Sequence, residues 1–182
     1  MTRMPPLSRD EMNADQQAVH DKIVADNGRV GYGPAIGYAY SAGVWRLHNA
    51  SSAHLLDCSL TPAQVRIVSL ATVRHWNSAY PWSAQAKTAL GTGLDSAAIE
   101  AINAGEQPDF DDDDDAAVYA TASELLATGT LSDDGFEKAK SVLGYQRLSD
   151  VVGAIGHFSA TAMMANVVGA TPPVDAVSRL MS

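Results

Sequence analysis

The chain is poor in cysteine and in cations, and each shortage excludes a class of function. Cys58 is the single cysteine among 182 residues, so the chain can form neither an internal disulfide nor a CxxC redox pair. Twelve Lys and Arg residues stand against 21 Asp and Glu, which gives a net charge of −9. This balance repels phosphate backbones and anionic lipids, so we expect no nucleic-acid partner and no membrane partner. A small anionic substrate remains compatible with it, provided that a few cations gather in one pocket.

Long apolar runs are also missing from the sequence. No uninterrupted run approaches ~18 residues, so we predict no transmembrane helix. The first ten residues carry two prolines and several charges instead of the apolar segment of a signal peptide. We therefore expect a cytoplasmic protein. Hydrophobic residues make up 46% and charged residues 18% of the chain, which is typical of a globular protein, and the length predicts a single domain over residues 1–182.

Helical patterns fill most of the sequence, and no strand-like alternation extends beyond a few residues. The clearest helix start is Thr61-Pro62, because a threonine can cap the helix and a proline suits its first turn. Helices are predicted at 8–26, 43–57, 63–76, 81–90, 95–104, 116–127, 132–143 and 145–168, with a short one inside the Gly- and Tyr-rich segment 29–42. The sequence therefore predicts an all-α bundle of about seven or eight helices.

Two local patterns allow both a structural and a functional interpretation. The acidic run 109–115 favours the positive N-terminal end of the following helix, with a divalent-metal site as the alternative. The last helix carries Gly153, Gly156, Ala160 and Met164 at three- and four-residue steps, a stripe in which most residues are small. Such a stripe would let another helix approach closely.

The stretch LTPAQVRIVSLATVRHWNSAYPWSAQAKTAL, at 60–90, resembles the central segment of carboxymuconolactone decarboxylase-like proteins. These belong to the superfamily that includes the alkyl hydroperoxidase D-like proteins. The opening MPPLSRDEMNADQQAVHDKIV and the closing VVGAIGHFSATAMMANVVGATPP are similar to the same family, in the same order. The resemblance covers most of the chain and implies an alkyl hydroperoxidase D-like helical bundle. It also implies a homo-oligomer: a dimer, trimer or hexamer.

The functional positions of the resembling family are altered in this chain. The positions that match the CxxC pair of the redox branch are Ser78 and Pro81, and those that match its His and Glu are Gln85 and Arg66. The decarboxylase branch carries a Glu-x-x-x-His pair, which matches Pro81 and Gln85. Without thiolates, the peroxidase chemistry of the redox branch is excluded. The general acid or base must come from elsewhere, or there is none.

Arg66 is a cation in the middle of an otherwise apolar predicted helix. A buried guanidinium needs a partner, because its desolvation is expensive. That partner is either a substrate carboxylate or enolate oxygen, or one of the chain's own acidic residues in an internal salt bridge. The sequence leaves both alternatives open.

Two further side chains are predicted to be catalytic together with Arg66. His157 lies among apolar residues, where it is either a core histidine with satisfied ring nitrogens or a general acid–base group. Tyr80 stands beside the altered positions and offers a phenol to the substrate. His48 and His54 precede the central segment and could reach the same cavity.

Five more residues around the central segment are predicted to contact the substrate. For two of them the alternative is structural, because His75 could pack at an interface and Trp82 could belong to the core. The histidines form no HxH or HExxH pattern, so we predict no metal site and no cofactor. The predicted substrate-contacting residues are Gln85, Ser78, Trp82, His75 and Asn77.

These observations favour a cofactor-independent enzyme that acts on a small carboxylated metabolite, such as a lactone or another cyclic compound of aromatic catabolism. The resemblance implies decarboxylation, or a related lyase or isomerase step. Arg66 would hold the anion, Tyr80 and Gln85 would form hydrogen bonds, and His157 would move the proton. The alternative is a non-catalytic ligand-binding or assembly protein on the same fold, because the proton-transfer groups of the family are missing.

Overall fold

The computed structural model describes residues 2–181, and within them the chain forms eight α-helices and no β-strand. This confirms the predicted all-α class and helix number. A short 3₁₀ turn at Arg9–Glu11 precedes the first α-helix. The helices are α1 (Ala14–Asn27), α2 (Pro34–Tyr38), α3 (Ala42–His54), α4 (Pro62–His75), α5 (Ala79–Gly91), α6 (Ser96–Ala104), α7 (Asp113–Thr128) and α8 (Asp133–Val168).

Local capping decides where α1 and α4 begin. Thr61 and Gln64 cap α4 reciprocally, each side chain accepting from the other's backbone N–H at 3.1 Å, which confirms the predicted start. Helix α1 begins later than the predicted residue 8, because Asn13 forms the same kind of capping box with Gln16.

The acidic run forms the start of α7, three residues earlier than predicted. Asp112 caps the helix by accepting from the backbone N–H of Asp114 (2.7 Å). The Asp114 carboxylate also pairs with Arg147 of α8 (2.8 Å), and Asp115 accepts from Gln64 of α4 (3.0 Å). These aspartates are therefore engaged in stabilising a helix end and in joining three helices.

Helix α4 lies at the centre of the fold and packs against α5, α6, α7 and α8. Its residues 67–73 are all buried, and Ile67, Val68, Leu70 and Val73 are completely excluded from solvent. A smaller apolar cluster joins α1, α2 and α3 around Tyr38 and Trp45. The two clusters leave room between them for a polar site.

Helix α8 contains both of the last two predicted helices, joined at Gly144. This glycine has a φ of 67°, in the left-handed region, so the two halves bend at the boundary that the sequence indicates. By length and composition alone, an 18-residue window of α8 could cross a membrane. Its inner face packs against α2, α3, α4, α5 and α7, and 39% of that window is buried.

Within residues 2–181, no helix of this chain packs closely against Gly153, Gly156 and Ala160 of α8. Gly153 and Gly156 have no neighbour within 4 Å of an added Cβ, and Ala160 is exposed. Met164 lies on the same side of the helix but nearer its C-terminal end, where α2 packs against it. The close approach occurs there instead, because a Cβ on Gly37 would overlap the Met164 side chain.

We expect Gly33→Ala to lower the free energy of unfolding by at least about 2 kcal/mol. Gly33 has φ 69° and ψ −116°, and a Cβ there would overlap the rigid ring of Tyr80. Urea denaturation measures the loss. The matched control is Gly43→Ala in α3, where a Cβ meets nothing within 4 Å and stability should stay equal or rise by up to about 1 kcal/mol. Equal stability of the two variants would contradict this account.

Candidate functional site

A cavity of about 220 Å³ opens between α3, α4, α5 and α8. We call it the Arg66 cavity. Its apolar wall consists of Leu55, Leu56 and Phe158. Its polar wall consists of His48, Ser52, Arg66, Gln85, His157 and Thr161. Among residues 2–181, no carboxylate lines it.

Arg66 has a neutral partner instead of the carboxylate that an internal salt bridge requires. Its Nη1 donates to Oε1 of Gln85 (2.6 Å), and its guanidinium carbon lies 5.6 Å from the centre of the Phe158 ring. Among the described residues, no Asp or Glu oxygen comes within 4.0 Å of it. The internal salt bridge weighed in the sequence analysis is therefore not formed. The guanidinium keeps an uncompensated positive charge at the cavity wall.

Three stacked rings from three helices form one side of the site. His48 stacks on Tyr38 with ring centres 4.2 Å apart, and on its other face it stacks on His157 at 4.6 Å. The interplanar angles are 26° and 15°. Because α2, α3 and α8 each supply one ring, the stack exists only once these helices have packed together.

Both histidines of the stack are held neutral. Burial lowers the pKa of His48 to about 4. Burial also lowers the pKa of His157 to about 4, with smaller effects of His48 and Arg66. Near neutral pH the cavity therefore carries the Arg66 charge beside two uncharged imidazoles.

Two polar atoms of the stack are buried without a hydrogen-bond partner: Oη of Tyr38 and Nδ1 of His157. The hydroxyl of Thr161 lies close to Tyr38 but donates to the backbone carbonyl of His157 (2.9 Å). Burial raises the pKa of Tyr38, so its phenol stays protonated. Unpartnered buried polar atoms are uncommon in folded proteins, so these two make the surroundings of the stack a candidate for ligand binding.

Tyr80 does not reach the Arg66 cavity. Its ring lies against Gly33 and makes an edge contact with Tyr32, with centres 5.9 Å apart. Tyr80 and Gln85 are five residues apart on α5, and such residues point in directions about 140° apart. Once Gln85 faces Arg66, Tyr80 must face the loop before α2.

The other predicted contacts also lie outside the cavity. Ser78 is buried where its hydroxyl bonds to Asn166 Oδ1 (2.8 Å) and to the carbonyl of Ala162 (3.1 Å), both in α8. Trp82 is a core residue whose Nε1 donates to Ser178 (3.0 Å). His75 and Asn77 are exposed at the end of α4. The structure thus brings together Arg66, Gln85 and His157, and corrects the placement of Tyr80, Ser78, Trp82, His75 and Asn77.

Some site residues have only a weak signal in the sequence. His48 reaches the cavity as expected, whereas His54 pairs with Asp150 (2.9 Å) elsewhere. Ser52 and Leu55 line the cavity with His48, and their spacing of four and three residues places them on one helix face. Tyr38 lies in a five-residue helix of a Gly-rich segment, where no pattern distinguishes it.

The chain has the fold of the alkylhydroperoxidase AhpD core. A crystal structure of that core, an uncharacterized peroxidase-related protein from Ralstonia eutropha JMP134, matches 96% of this chain and 93% of its own, with a TM-score of 0.75 and 18% identity. An uncharacterized peroxidase-related protein from Silicibacter sp. TM1040 matches 98% and 94%, with a TM-score of 0.74 and 13% identity. No family model matches the chain, and no curated protein matches it in sequence. The similarity confirms the predicted fold.

Acid should destabilise the protein through the two stacked histidines. Their pKa values are about 4 in the folded chain, against an ordinary value of 6.5. Between these values the unfolded chain binds protons that the folded chain does not, so the free energy of unfolding falls as the pH drops from 6.5 towards 4. Urea denaturation at pH 7.0 and 5.0 measures the fall.

Substitutions identify the histidines as the source of this loss. His48→Gln and His157→Gln should each reduce the difference between pH 7.0 and 5.0, whereas His75→Gln should leave it unchanged. Carboxylates such as Asp21 and Glu11 have folded pKa values below their ordinary 3.8 and 4.5. Their protonation therefore lowers the free energy of unfolding mainly below pH 5. An unchanged difference in both stack variants would contradict neutral, buried imidazoles.

Proposed function

We propose that the chain is a cofactor-independent lyase or isomerase, carboxymuconolactone decarboxylase-like in its chemistry, that acts on a small carboxylated metabolite. The observation that carries the proposal is the uncompensated Arg66 charge in a cavity lined by no carboxylate. A ligand carboxylate would balance this charge through the planar guanidinium fork. We expect the enzyme to act in the cytoplasm.

The arrangement suits a reaction that forms an enolate. In decarboxylation the bond between the carboxyl carbon and its neighbour breaks and carbon dioxide leaves. The electron pair then passes to an adjacent carbonyl oxygen, where Arg66 and the amide of Gln85 stabilise the negative charge. A proton finally returns to the carbon from the histidine stack. An isomerase would use the same groups to remove one proton and to return one at another carbon.

The cavity limits the size of the substrate. Pockets for drug-sized ligands usually enclose about 300–1,000 Å³, so about 220 Å³ suits a compact acid such as a lactone or another small ring. The peroxidase-related proteins that share the fold suggest a different chemistry. In this chain Cys58 lies outside the cavity, with its Sγ near the carbonyls of Leu55 and Leu60, and has no second thiol to pair with.

We expect the purified protein to release carbon dioxide from at least one compound in a panel of carboxylated lactones, β-keto acids and intermediates of aromatic catabolism. Mass spectrometry detects the product, and a product of unchanged mass indicates isomerisation. Arg66→Met should abolish turnover and the binding of benzoate, used as a simple carboxylate probe. It should change the free energy of unfolding by no more than about 1–2 kcal/mol, because no carboxylate loses its partner.

The matched control is Arg147→Met, which breaks the pair with Asp114 away from the cavity. Turnover and benzoate binding should survive in this variant. Benzoate binding without turnover of any compound would favour the ligand-binding alternative. Absence of both in the wild type would contradict the proposed site.

We also propose that the chain self-associates through the outward face of the C-terminal half of α8. This face, with Val152, Gly153, Gly156, Met163 and Val167, is exposed and carries no charge. The chain as a whole carries 33 charged Asp, Glu, Lys and Arg residues (12 basic and 21 acidic). A second copy presents the same uncharged surface, and its small residues permit close approach of the two helices.

Light scattering should therefore give a mass that is a multiple of 19.1 kDa for the wild type. Gly156→Glu should lower it towards the monomer, because a carboxylate would be buried in the contact. Lys87→Gln at an exposed position of α5 changes the net charge by the same one unit and is the control. A monomeric wild type would contradict self-association and leave the Arg66 cavity unaffected.

A further inference from the structure

A second cavity lies on the other side of His48. It encloses about 390 Å³ between α1, the segment 29–33, α2 and α3. Asn27, Arg29, Tyr32 and Asn49 line it, and His48 lines both this cavity and the Arg66 cavity. Arg29 and Tyr32 are exposed, so the second cavity, which we call the Arg29 cavity, reaches the surface. His48 is thus part of the wall between a solvent-connected cavity and the candidate site.

The ring of His48 offers only its edges to these cavities. Tyr38 covers one face and His157 covers the other. Within residues 2–181 neither ring nitrogen of His48 forms a hydrogen bond, and neither is fully buried. Both nitrogens are therefore open to water or ligand. A neutral imidazole has one donor and one acceptor nitrogen, so this ring can give a proton at one edge while it takes one at the other.

His157 differs from His48 at one atom. Its Nδ1 is buried and has no partner. A proton on this nitrogen would create a buried N–H without an acceptor, which is rarer and costlier than an unused lone pair. The ring therefore keeps its single proton on Nε2. In this state His157 donates a hydrogen bond, but it cannot pass a proton through the ring.

We propose that His48 is the proton-transfer group of the site, relaying protons between the Arg29 cavity and the Arg66 cavity, and that His157 is a neutral hydrogen-bond donor. This inference rests on the proposed function. In decarboxylation, one nitrogen of His48 gives its proton to the substrate carbon while the other takes a proton from water in the Arg29 cavity. The hydroxide ion that remains carries the charge of the departed carboxylate and leaves to solvent through the surface opening of that cavity. In isomerisation the transfer also runs in the reverse direction.

The charges around His48 agree with a relay by the neutral ring. Its neighbours are Tyr38 of α2, His157 of α8, Arg66 of α4 across one cavity and Arg29 across the other. In the part of the chain that the structure describes, no carboxylate lines either cavity, so no negative charge there stabilises an imidazolium between turnovers. Burial also lowers the pKa of His48, which likewise keeps its ring neutral between turnovers.

The first test needs no substrate. Nitrogen-15 NMR of the histidine-labelled protein at pH 7.5 distinguishes protonated from bare ring nitrogens, with His48→Gln and His157→Gln providing the assignments. We expect averaged signals from His48, which indicate exchange between its two tautomers. For His157 we expect one fixed tautomer with a bare Nδ1. A fixed His48 beside an exchanging His157 would overturn the assignment.

The second test uses whichever panel compound the wild type converts. His48→Gln should lower kcat at least about 100-fold, because an amide cannot relay a proton. His157→Gln keeps an N–H donor and should lose less than about tenfold. His48→Ala should regain part of its activity when imidazole is added, since the ring can enter the space between Tyr38 and His157. His20→Gln, at an exposed pair with Asp21, is the control for losing a histidine.

The outcomes separate the relay from the proposed function. A larger loss in His157→Gln than in His48→Gln, or no rescue by imidazole, would overturn the relay while the lyase stands. If the wild type converts no compound, the proposed function fails, and the NMR experiment still decides which imidazole exchanges its proton.

Discussion

The burial of α4 on nearly all sides is the constraint on which the rest of the structure depends. Four helices pack around it, and its residues 67–73 are closed off from solvent. A charged side chain on such a helix needs a space between the neighbouring helices that also contains a polar partner. Arg66 finds one between α5 and α8, where Gln85 and Phe158 contact it. The candidate site is therefore a gap in the core that exists because one core helix carries a cation.

The Arg66–Gln85 contact joins α4 and α5, but it cannot carry out the proton transfer that the resembling families perform. At the positions where the resemblance implies a carboxylate and a histidine, this chain has a permanent cation and an amide, neither of which exchanges protons near neutral pH. The titratable groups lie across the cavity instead, on α3 and α8. In the proposed reaction, negative charge is stabilised at one wall and protons are transferred at the other. A substrate between them would meet both functions at once.

Features set by neighbouring residues could be predicted from the sequence, and features set by helix docking could not. The cap at Thr61 and the break at Gly144 each depend on a few adjacent residues, and both were predicted. The direction of Tyr80 depends on how α5 is rotated against α4, and proximity in the sequence to Gln85 was misleading for that reason. Arg66 and His157 were predicted because each is a polar residue within an apolar helix. The Tyr38–His48 stack gave no such signal, because it arises only where α2 and α3 meet.

The net charge of −9 and a site for anions are compatible, because the two act over different distances. Surface carboxylates are screened within about 8 Å at physiological salt, whereas a partly desolvated guanidinium acts strongly at contact. The wall of the Arg66 cavity adds no second cation that would attract anions from afar, since Ser52, Leu55 and Leu56 are neutral. Discrimination among anions must then occur on contact with Arg66, where the loss of the ligand's bound water opposes binding. A compact monocarboxylate sheds its water more easily than a phosphate does, and an apolar ring can lie against Leu55 and Phe158. A protein whose acidic surface disfavours polyanions would in this way bind the small organic acid of the proposed function within its core.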